Sequence, residues 1–390
     1  MIQRIELQEL TNLLKTNPVV ALLGARQIGK TTLAKLYAKK AKKETLYLDL
    51  ELDSHFNRLQ NDAESYLLKN KTKLIIIDEV QRMPKLFALL RALVDIDRKP
   101  ARYLLLGSSS PHLIKGVSES LAGRIAYLDL GGINLLEAKK SKISQDTLWL
   151  KGGFPSALTL KLNSAINSWY NNLVKSYTEK DMKELFGVDF SSVTIRNFWS
   201  MLAHNNSNLW NKESYCKSLG VTAPTVGRYL EYMEGAFLVT RLQPWFNNSK
   251  KRLVKAPKIY IRDSGILHSL IRTANMDDLF GHPFVGASWE GFVIEQIRQL
   301  KPAHLDMYFY RTHQGTEADL VLVKGMKPVA CIEIKLSTSP QVSKGFLQSI
   351  TDLKTKNNFI IMPTGDNYHT KEKINICSIL DFLKIYLNKM

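Results

Sequence analysis

The sequence predicts an α/β protein built from several modules, and three observations carry that expectation. Short apolar runs alternate with helical periodicity over the first third of the chain. A glycine-punctuated helical stretch follows, and apolar runs return in the last third. The chain has 390 residues, 45% hydrophobic and 23% charged, which allows roughly two to four domains and excludes wholesale disorder. Boundaries are expected at 1–135, 136–190, 191–262 and 263–390.

Lys and Arg number 54 against 36 Asp and Glu, a net charge of +18. An excess of that size points to a polyanion, nucleic acid first and an anionic membrane surface second. No apolar run approaches the ~18–20 residues of a membrane-spanning helix. The N-terminal MIQRIELQEL lacks the apolar core of a signal peptide, so no membrane association is expected and a cytoplasmic location is. Cys216, Cys331 and Cys377 lie far apart with no paired spacing, which argues against a structural zinc site or a disulfide framework.

The first apolar run, from Val19 to Leu23, leads into Gly24-Ala25-Arg26-Gln27-Ile28-Gly29-Lys30-Thr31-Thr32 and then a helical pattern through Leu33, Leu36 and Tyr37. The segment fits GxxxxGK[ST] between a buried strand and a helix. Its glycines allow close wrapping of backbone N–H groups around phosphates, and the helix N-terminus adds positive potential. Lys30 is expected at the β- and γ-phosphates of ATP and Thr31 on Mg²⁺. The run Leu74 to Ile77 ends in Asp78-Glu79. Asp78 is expected to hold the metal and Glu79 to act as general base toward water. Tyr103 to Leu106 ends in Gly107-Ser108-Ser109, where Ser108, with Ser109 close behind, is expected to orient that water. Arg124, just before the next strand, is expected to reach a neighbouring subunit's nucleotide as an arginine finger, which implies a homo-oligomer.

The middle reads helix (198–204), helix (211–219), Gly220, helix (221–233), followed by two strand candidates, 237–242 and 258–261. This is helix-turn-helix order with a hairpin, a winged helix, and it suggests duplex DNA as partner. Thr222, Thr225 and Arg228 are expected at the groove. Lys250, Lys251, Arg252 and Lys255, in a stretch without an acid from 235 to 262, are expected on wing phosphates. Helical periodicity from Asn163 to Phe186 fills the span before it.

The last third reads αβββαβ. Glu333 and Lys335 stand at i and i+2 on one strand, hence on one face. An adjacent strand can bring Asp319 beside them, and Glu290 or Glu295 on the preceding helix can close the set. Two carboxylates and a lysine suit Mg²⁺-assisted phosphodiester cleavage, with Asp319 and Glu333 on the metal and Lys335 on water.

GARQIGKTT, LIIIDEVQRMP, LLLGSSS and LAGRI, in that order, resemble a prokaryotic AAA+ ATPase of the group with a restriction-endonuclease-like C-terminal half. The resemblance implies ATP hydrolysis with Mg²⁺, a P-loop ATPase core and a helical lid. It also implies a contact between adenine and Pro155 of Gly152-Gly153-Phe154-Pro155, as in related signal-transducing ATPases. The Asp319/Glu333/Lys335 set resembles the PD-(D/E)XK nucleases of restriction enzymes and Holliday-junction resolvases, with Ala318 where the family name has Pro. Together these imply an ATPase that remodels or cleaves DNA, branched DNA included. The alternative is a nucleotide-switched regulator whose winged helix and nuclease-like domain bind partners or DNA without cutting.

Overall fold

The computed structural model describes residues 2–109, 121–181, 191–246 and 253–390. Its first sheet contains β1 (Val19–Leu23), β2 (Thr45–Asp49), β3 (Leu74–Asp78), β4 (Tyr103–Gly107) and β5 (Ile125–Asp129), all parallel, in the order β2-β3-β4-β1-β5. Parallel strands covered on both faces read as unbroken apolar runs, and β1, β3 and β4 are buried along their whole length. Alternate side chains feed two cores. Val20, Leu22, Ile76 and Leu104 pack with Leu10, Leu14 and Leu33. Ala21, Ile75, Ile77 and Leu105 pack with Leu59, Phe87 and Leu90. Leu23 lies opposite both Gly107 and Asp129, so the turn after β1, the acids after β3 and the serines after β4 all leave the sheet at its carboxyl edge.

The middle contains helices Asn163–Ser176, Ser192–His204, Lys212–Leu219 and Ala223–Gly235, then the antiparallel pair β6 (Val239–Leu242) and β7 (Lys258–Ile261). Gly220, left-handed at φ 65°, ends the helix Lys212–Leu219 and frees the chain to turn into the next one. The expected hairpin is present, but its arms are not free. Trp245 N donates to Phe309 O at 2.7 Å, Phe309 N donates to Gln243 O at 3.0 Å, and Val254 N donates to Arg311 O at 3.1 Å. The base of the expected wing is thereby laid against an edge strand of the C-terminal sheet. Lys250, Lys251 and Arg252 lie outside the described residues, as does the end of the helical stretch expected up to Phe186.

The C-terminal third holds helix Val285–Leu300, β8 (Leu305–Arg311), β9 (Glu317–Lys324), β10 (Lys327–Ile334), helix Lys344–Leu353, β11 (Asn357–Met362), β12 (Tyr368–His369) and β13 (Asn375–Ser378). The strands form one mixed sheet in the order β12-β13-β11-β10-β9-β8. The expected αβββαβ order is present, with β12 and β13 added beyond it.

The expected helical lid over 136–190 divides in two. Helices Leu135–Lys140 and Gln145–Lys151 join the C-terminal core. Trp149 meets Trp289 edge-on at 5.2 Å and donates from Nε1 to Ser288 Oγ at 2.9 Å. Leu135 N donates to Gln296 Oε1 at 2.7 Å. Phe154, Ala157, Ile166 and Tyr170 instead join the core under the first sheet. The physical cause is the large apolar payload of Trp149, which needs a deep core to bury it. Among the described residues no helix is long and apolar enough to cross a membrane.

Candidate functional site

The turn after β1 takes a conformation that only certain residues allow. Gly24 has φ 157° and Gly29 φ 104°. A Cβ on Gly24 would stand 2.4 Å from Leu130 O, so glycine is needed there for close backbone approach. Lys30 is the first residue of helix Lys30–Lys40 and is buried. Its Nζ donates to Gly24 O and Ala25 O, both at 2.9 Å, folding the ammonium back across the loop. Burial pulls the Lys30 pKa down to about 8, against the upward pull of Glu79 and Asp78. An ammonium that gives up hydration in this way is poised to gain from a phosphate's charge. Arg26 N donates to Tyr177 OH at 2.8 Å. Ala25 and Ile28 are buried, Gln27 adopts a left-handed φ of 62°, and Thr32 is exposed on the first helical turn.

Asp78 is buried at the end of β3 and gathers three donors. Thr31 Oγ1 lies 2.6 Å and Tyr47 OH 2.5 Å from Oδ2, and Glu79 N lies 3.0 Å from Oδ1. Burial, then the Asp78 hydrogen bond, raises the Tyr47 pKa. Thr31 and Asp78 thus stand side by side beside Lys30. A hydroxyl and a carboxylate in that position fit Mg²⁺, and these two residues would hold it. Glu79 takes a left-handed φ of 53°, which ends the strand abruptly. Its Oε2 accepts from Ser108 Oγ at 2.9 Å and is also contacted by Gln81 Nε2, which in turn reaches Ser108 Oγ at 3.0 Å. Of the two serines considered, Ser108 meets Glu79, while buried Ser109 Oγ has no hydrogen-bond partner among the described residues. Tyr47 and Gln81 are additions that the sequence reading missed; Gln81, two residues after Glu79 in a short turn, was the more accessible signal.

Pro155 starts the short helix Pro155–Thr159, and its Cγ lies 3.9 Å from where a Gly29 Cβ would be, so it covers the phosphate loop. The preceding glycines are required by contact. Ile133 N donates to Gly153 O at 2.7 Å, and a Cβ on Gly132 would stand 2.9 Å from Gly153 Cα. Gly153 N donates to Asp263 Oδ2 at 2.7 Å. A cleft beside the loop is lined by Ala25 and Ile28, by Gly131, Gly132 and Gly153, by Asp263, and by Gln296 and Gln299 of the C-terminal helix. Burial pushes the Asp263 pKa up to about 6, although Gly153 N, Ile266 N and Tyr170 OH oppose the rise. Arg124 is away from this cleft: its Nε and Nη2 hold Asp95 at 2.6 and 3.0 Å within the same chain.

The second predicted constellation is also assembled. Ile334 N donates to Asp319 Oδ2 at 2.8 Å, which joins β9 to β10. Lys335 Nζ lies 2.8 Å from Glu333 Oε1, and Ser343 Oγ donates to the same oxygen at 3.0 Å. Burial acts to lower the Lys335 pKa, but Glu333 and then Asp319 outweigh it and the net shift is upward. Glu290 faces this cluster. Glu295 does not: it points to Arg298 at 2.7 Å and Arg262 at 3.7 Å, because it stands nearly a turn and a half further along the helix.

One member of this cluster was not expected from the sequence: Lys258, the first residue of β7. It is buried, and its Nζ lies 2.8 Å from Glu317, 3.1 Å from Glu290 and 3.7 Å from Asp319. Tyr260 OH donates to Glu290 Oε1 at 2.6 Å. Burial, then Glu290, pushes the Asp319 pKa up to about 7. Among the described residues no three His, Cys, Asp or Glu side chains form a group that could hold a metal ion. Mg²⁺ keeps several waters and needs only one or two carboxylates, but here a buried ammonium already stands among Glu290, Glu317 and Asp319. These residues do not fit the metal that a nuclease reading implies, and no cleavage step follows from them.

On the expected DNA face, Thr222 and Arg228 are exposed at the start of helix Ala223–Gly235. Thr222 and Thr225 share a hydroxyl hydrogen bond of 2.9 Å, and Lys255 is exposed after the hairpin loop.

Comparison with known proteins bears on the N-terminal third as a domain. An AAA-domain family profile matches residues 16–138, and two domains of unknown function, DUF8612 and DUF4143, match residues 143–277 and 285–382. A solved structure, the Walker-type ATPase paby2304 of Pyrococcus abyssi, is 15% identical, aligned over 70% of this chain and 96% of that one, with a TM-score of 0.45. The uncharacterized proteins Mb2031c of Mycobacterium bovis and Rv2008c of Mycobacterium tuberculosis are each 39% identical over 346 residues, 89% of this chain and 76% of theirs. The phosphate loop of this chain is thus part of a P-loop, AAA-like domain, and the chain belongs to the family of those two mycobacterial proteins.

Proposed function

We propose that the protein binds and hydrolyses ATP with Mg²⁺ and uses the nucleotide state to control its grip on DNA. The observation that carries the ATPase reading is the convergence of three chain segments. Lys30 folds across the loop, Thr31 and Asp78 stand 2.6 Å apart, and Glu79 is held by Ser108 at 2.9 Å. Lys30 and the loop N–H groups bind and orient the phosphates. Mg²⁺, held by Thr31 and Asp78, supplies charge neutralisation when bound. Glu79, aimed by Ser108 and Gln81, accepts the proton of the attacking water. Pro155 and the Gly152-Gly153 turn close over the loop. Lys30→Ala is expected to abolish ATP turnover while leaving the circular dichroism spectrum and melting temperature in place; undiminished turnover would overturn the assignment.

The DNA part of the proposal is supported by the helix, Gly220 turn and helix that present Thr222 and Arg228 to solvent, together with the net charge of +18. It is a grip without cutting, because the C-terminal carboxylates do not fit a metal. Affinity for linear and branched duplexes should fall steeply between low and moderate salt as counterions are released, and Arg228→Ala should flatten that slope. A salt-independent signal would rule the DNA reading out.

A further inference from the structure

We propose that the Lys258 ammonium is the resident cation of the C-terminal carboxylate cluster, standing where a divalent metal would otherwise be drawn, and that it locks the β6–β7 hairpin to the C-terminal sheet. The cluster comes from three elements. Glu290 lies on helix Val285–Leu300, Glu317 and Asp319 on β9, and Glu333 on β10. Lys258 enters from a fourth element, β7, whose hydrogen-bonding partner is β6 rather than any strand of the C-terminal sheet.

Charge accounting favours the assignment. Among the described residues Lys258 serves Glu290, Glu317 and Asp319, Lys335 serves Glu333, and Arg311 lies 3.4 Å from Glu317. Three cations therefore face four carboxylates. Asp319 also accepts a backbone N–H at 2.8 Å, and Glu290 a phenol O–H at 2.6 Å. A divalent ion entering this group would have to displace a buried ammonium and leave it without partners, which is costly. Glu333 Oε2 is buried without a hydrogen-bond partner among the described residues, but a single open oxygen does not make a chelate.

The locking role follows from where Lys258 sits. Leu242 lies opposite Lys258 across the hairpin. Just beyond Leu242 the chain pairs with β8, through Phe309 N to Gln243 O and Trp245 N to Phe309 O. Backbone hydrogen bonds tie both arms of the hairpin to the sheet, through Gln243 and Trp245 on one side and Val254 on the other, and the ammonium adds a buried side-chain tie at the start of β7. The i, i+2 relation of Lys258 and Tyr260 puts both on one face of β7, and both reach Glu290. This inference does not depend on ATP hydrolysis.

The test uses the full chain without nucleotide and Mn²⁺ as the probe, with bound metal read by electron paramagnetic resonance and isothermal calorimetry. The wild type should show no Mn²⁺ site that Asp319→Asn removes. Lys258→Met should gain one equivalent of bound Mn²⁺, and adding Asp319→Asn to that variant should abolish the gain. A wild-type Mn²⁺ site that is lost in Asp319→Asn would overturn the proposal, as would a folded Lys258→Met protein that gains none. Should Lys258→Met not fold, the comparison of wild type with Asp319→Asn still decides, because it leaves Lys258 in place. The lock has its own readout: limited proteolysis within 243–257 should accelerate at least tenfold in a folded Lys258→Gln variant, and an unchanged rate would refute it.

Discussion

Exchanging Glu79 for Gln keeps the side chain's size and removes its capacity to take a proton. Ser108 Oγ, 2.9 Å from Glu79 Oε2, can still meet the amide, and Gln81 still reaches Ser108, so the local packing survives. The loop residues that meet the phosphates are on other elements, so ATP affinity should stay at the wild-type level. A positioned general base contributes about 10²–10⁴-fold, equivalent to about 3–5.5 kcal/mol of barrier. Ser108→Ala removes one hydrogen bond to a carboxylate, worth about 1.5–3 kcal/mol at most. Since Gln81 remains, the loss should sit at the low end, about tenfold in kcat. Both residues act through one carboxylate, so Glu79→Gln/Ser108→Ala should be no slower than Glu79→Gln alone. Steady-state phosphate release gives kcat, and a fluorescent ATP analogue gives affinity. Wild-type turnover in Glu79→Gln would refute the assignment of the base, and additive losses in the double variant would refute the positioning argument.

Other expectations rest on groups outside the chemistry. Arg4 is buried and holds Glu137 at 3.1 Å, Glu6 at 3.2 Å and Gly131 O at 2.8 Å. Arg4→Met strands the fully buried Glu137 carboxylate and should cost about 3–5 kcal/mol in urea denaturation. His268 is buried between Leu150 O at 2.9 Å and Ser288 Oγ at 2.7 Å, and burial lowers its pKa to about 4. The unfolded state then takes up a proton that the folded state refuses. Stability is therefore retained above pH ~6.5 and lost as pH falls toward 4, by about 2 kcal/mol at pH 5; His268→Gln should remove that part of the pH dependence. Gly132→Ala drives a methyl into Gly153 Cα at 2.9 Å and should cost about 1–3 kcal/mol together with nucleotide affinity. Gly286, on a helix with nothing among the described residues within 4 Å of its Cβ position, should instead gain about 0.5–1 kcal/mol on replacement by Ala.

The nucleotide half was legible because its information is local. A buried parallel strand announces itself by an unbroken apolar run, as in Leu74–Ile77, and the loop's requirements are met by residues adjacent in sequence. The C-terminal carboxylates were legible for a similar reason, since Asp319 and Glu333 lie on neighbouring strands and Lys335 follows directly after the second. What could not be read was the cation. A lysine in an acid-free stretch looks like a solvated charge, and only the docking of β7 against helix Val285–Leu300 turns Lys258 into a buried partner of acids 32, 59 and 61 residues away. Glu317 was recoverable from strand alternation with Asp319. Tyr47 was hidden because its role depends on β2 lying beside β3. The division of the lid was equally hidden, since Trp149 and Trp289 meet across 140 positions.

Helix Val285–Leu300 serves two addresses at once. Glu290 reaches the carboxylate cluster, and Gln296 anchors the backbone beside the cleft next to the P-loop. β7 does the same, with Lys258 at its start and Asp263 two residues past its end. Along the helix the two addresses are about 9 Å apart at about 1.5 Å per residue, and each added residue turns the face by about 100°. The helix is therefore a gauge of fixed length and fixed phase. One residue inserted between Glu290 and Gln296 would swing one address out of register, and no rotamer could restore both. The same insertion after Lys301, beyond both, would leave them untouched.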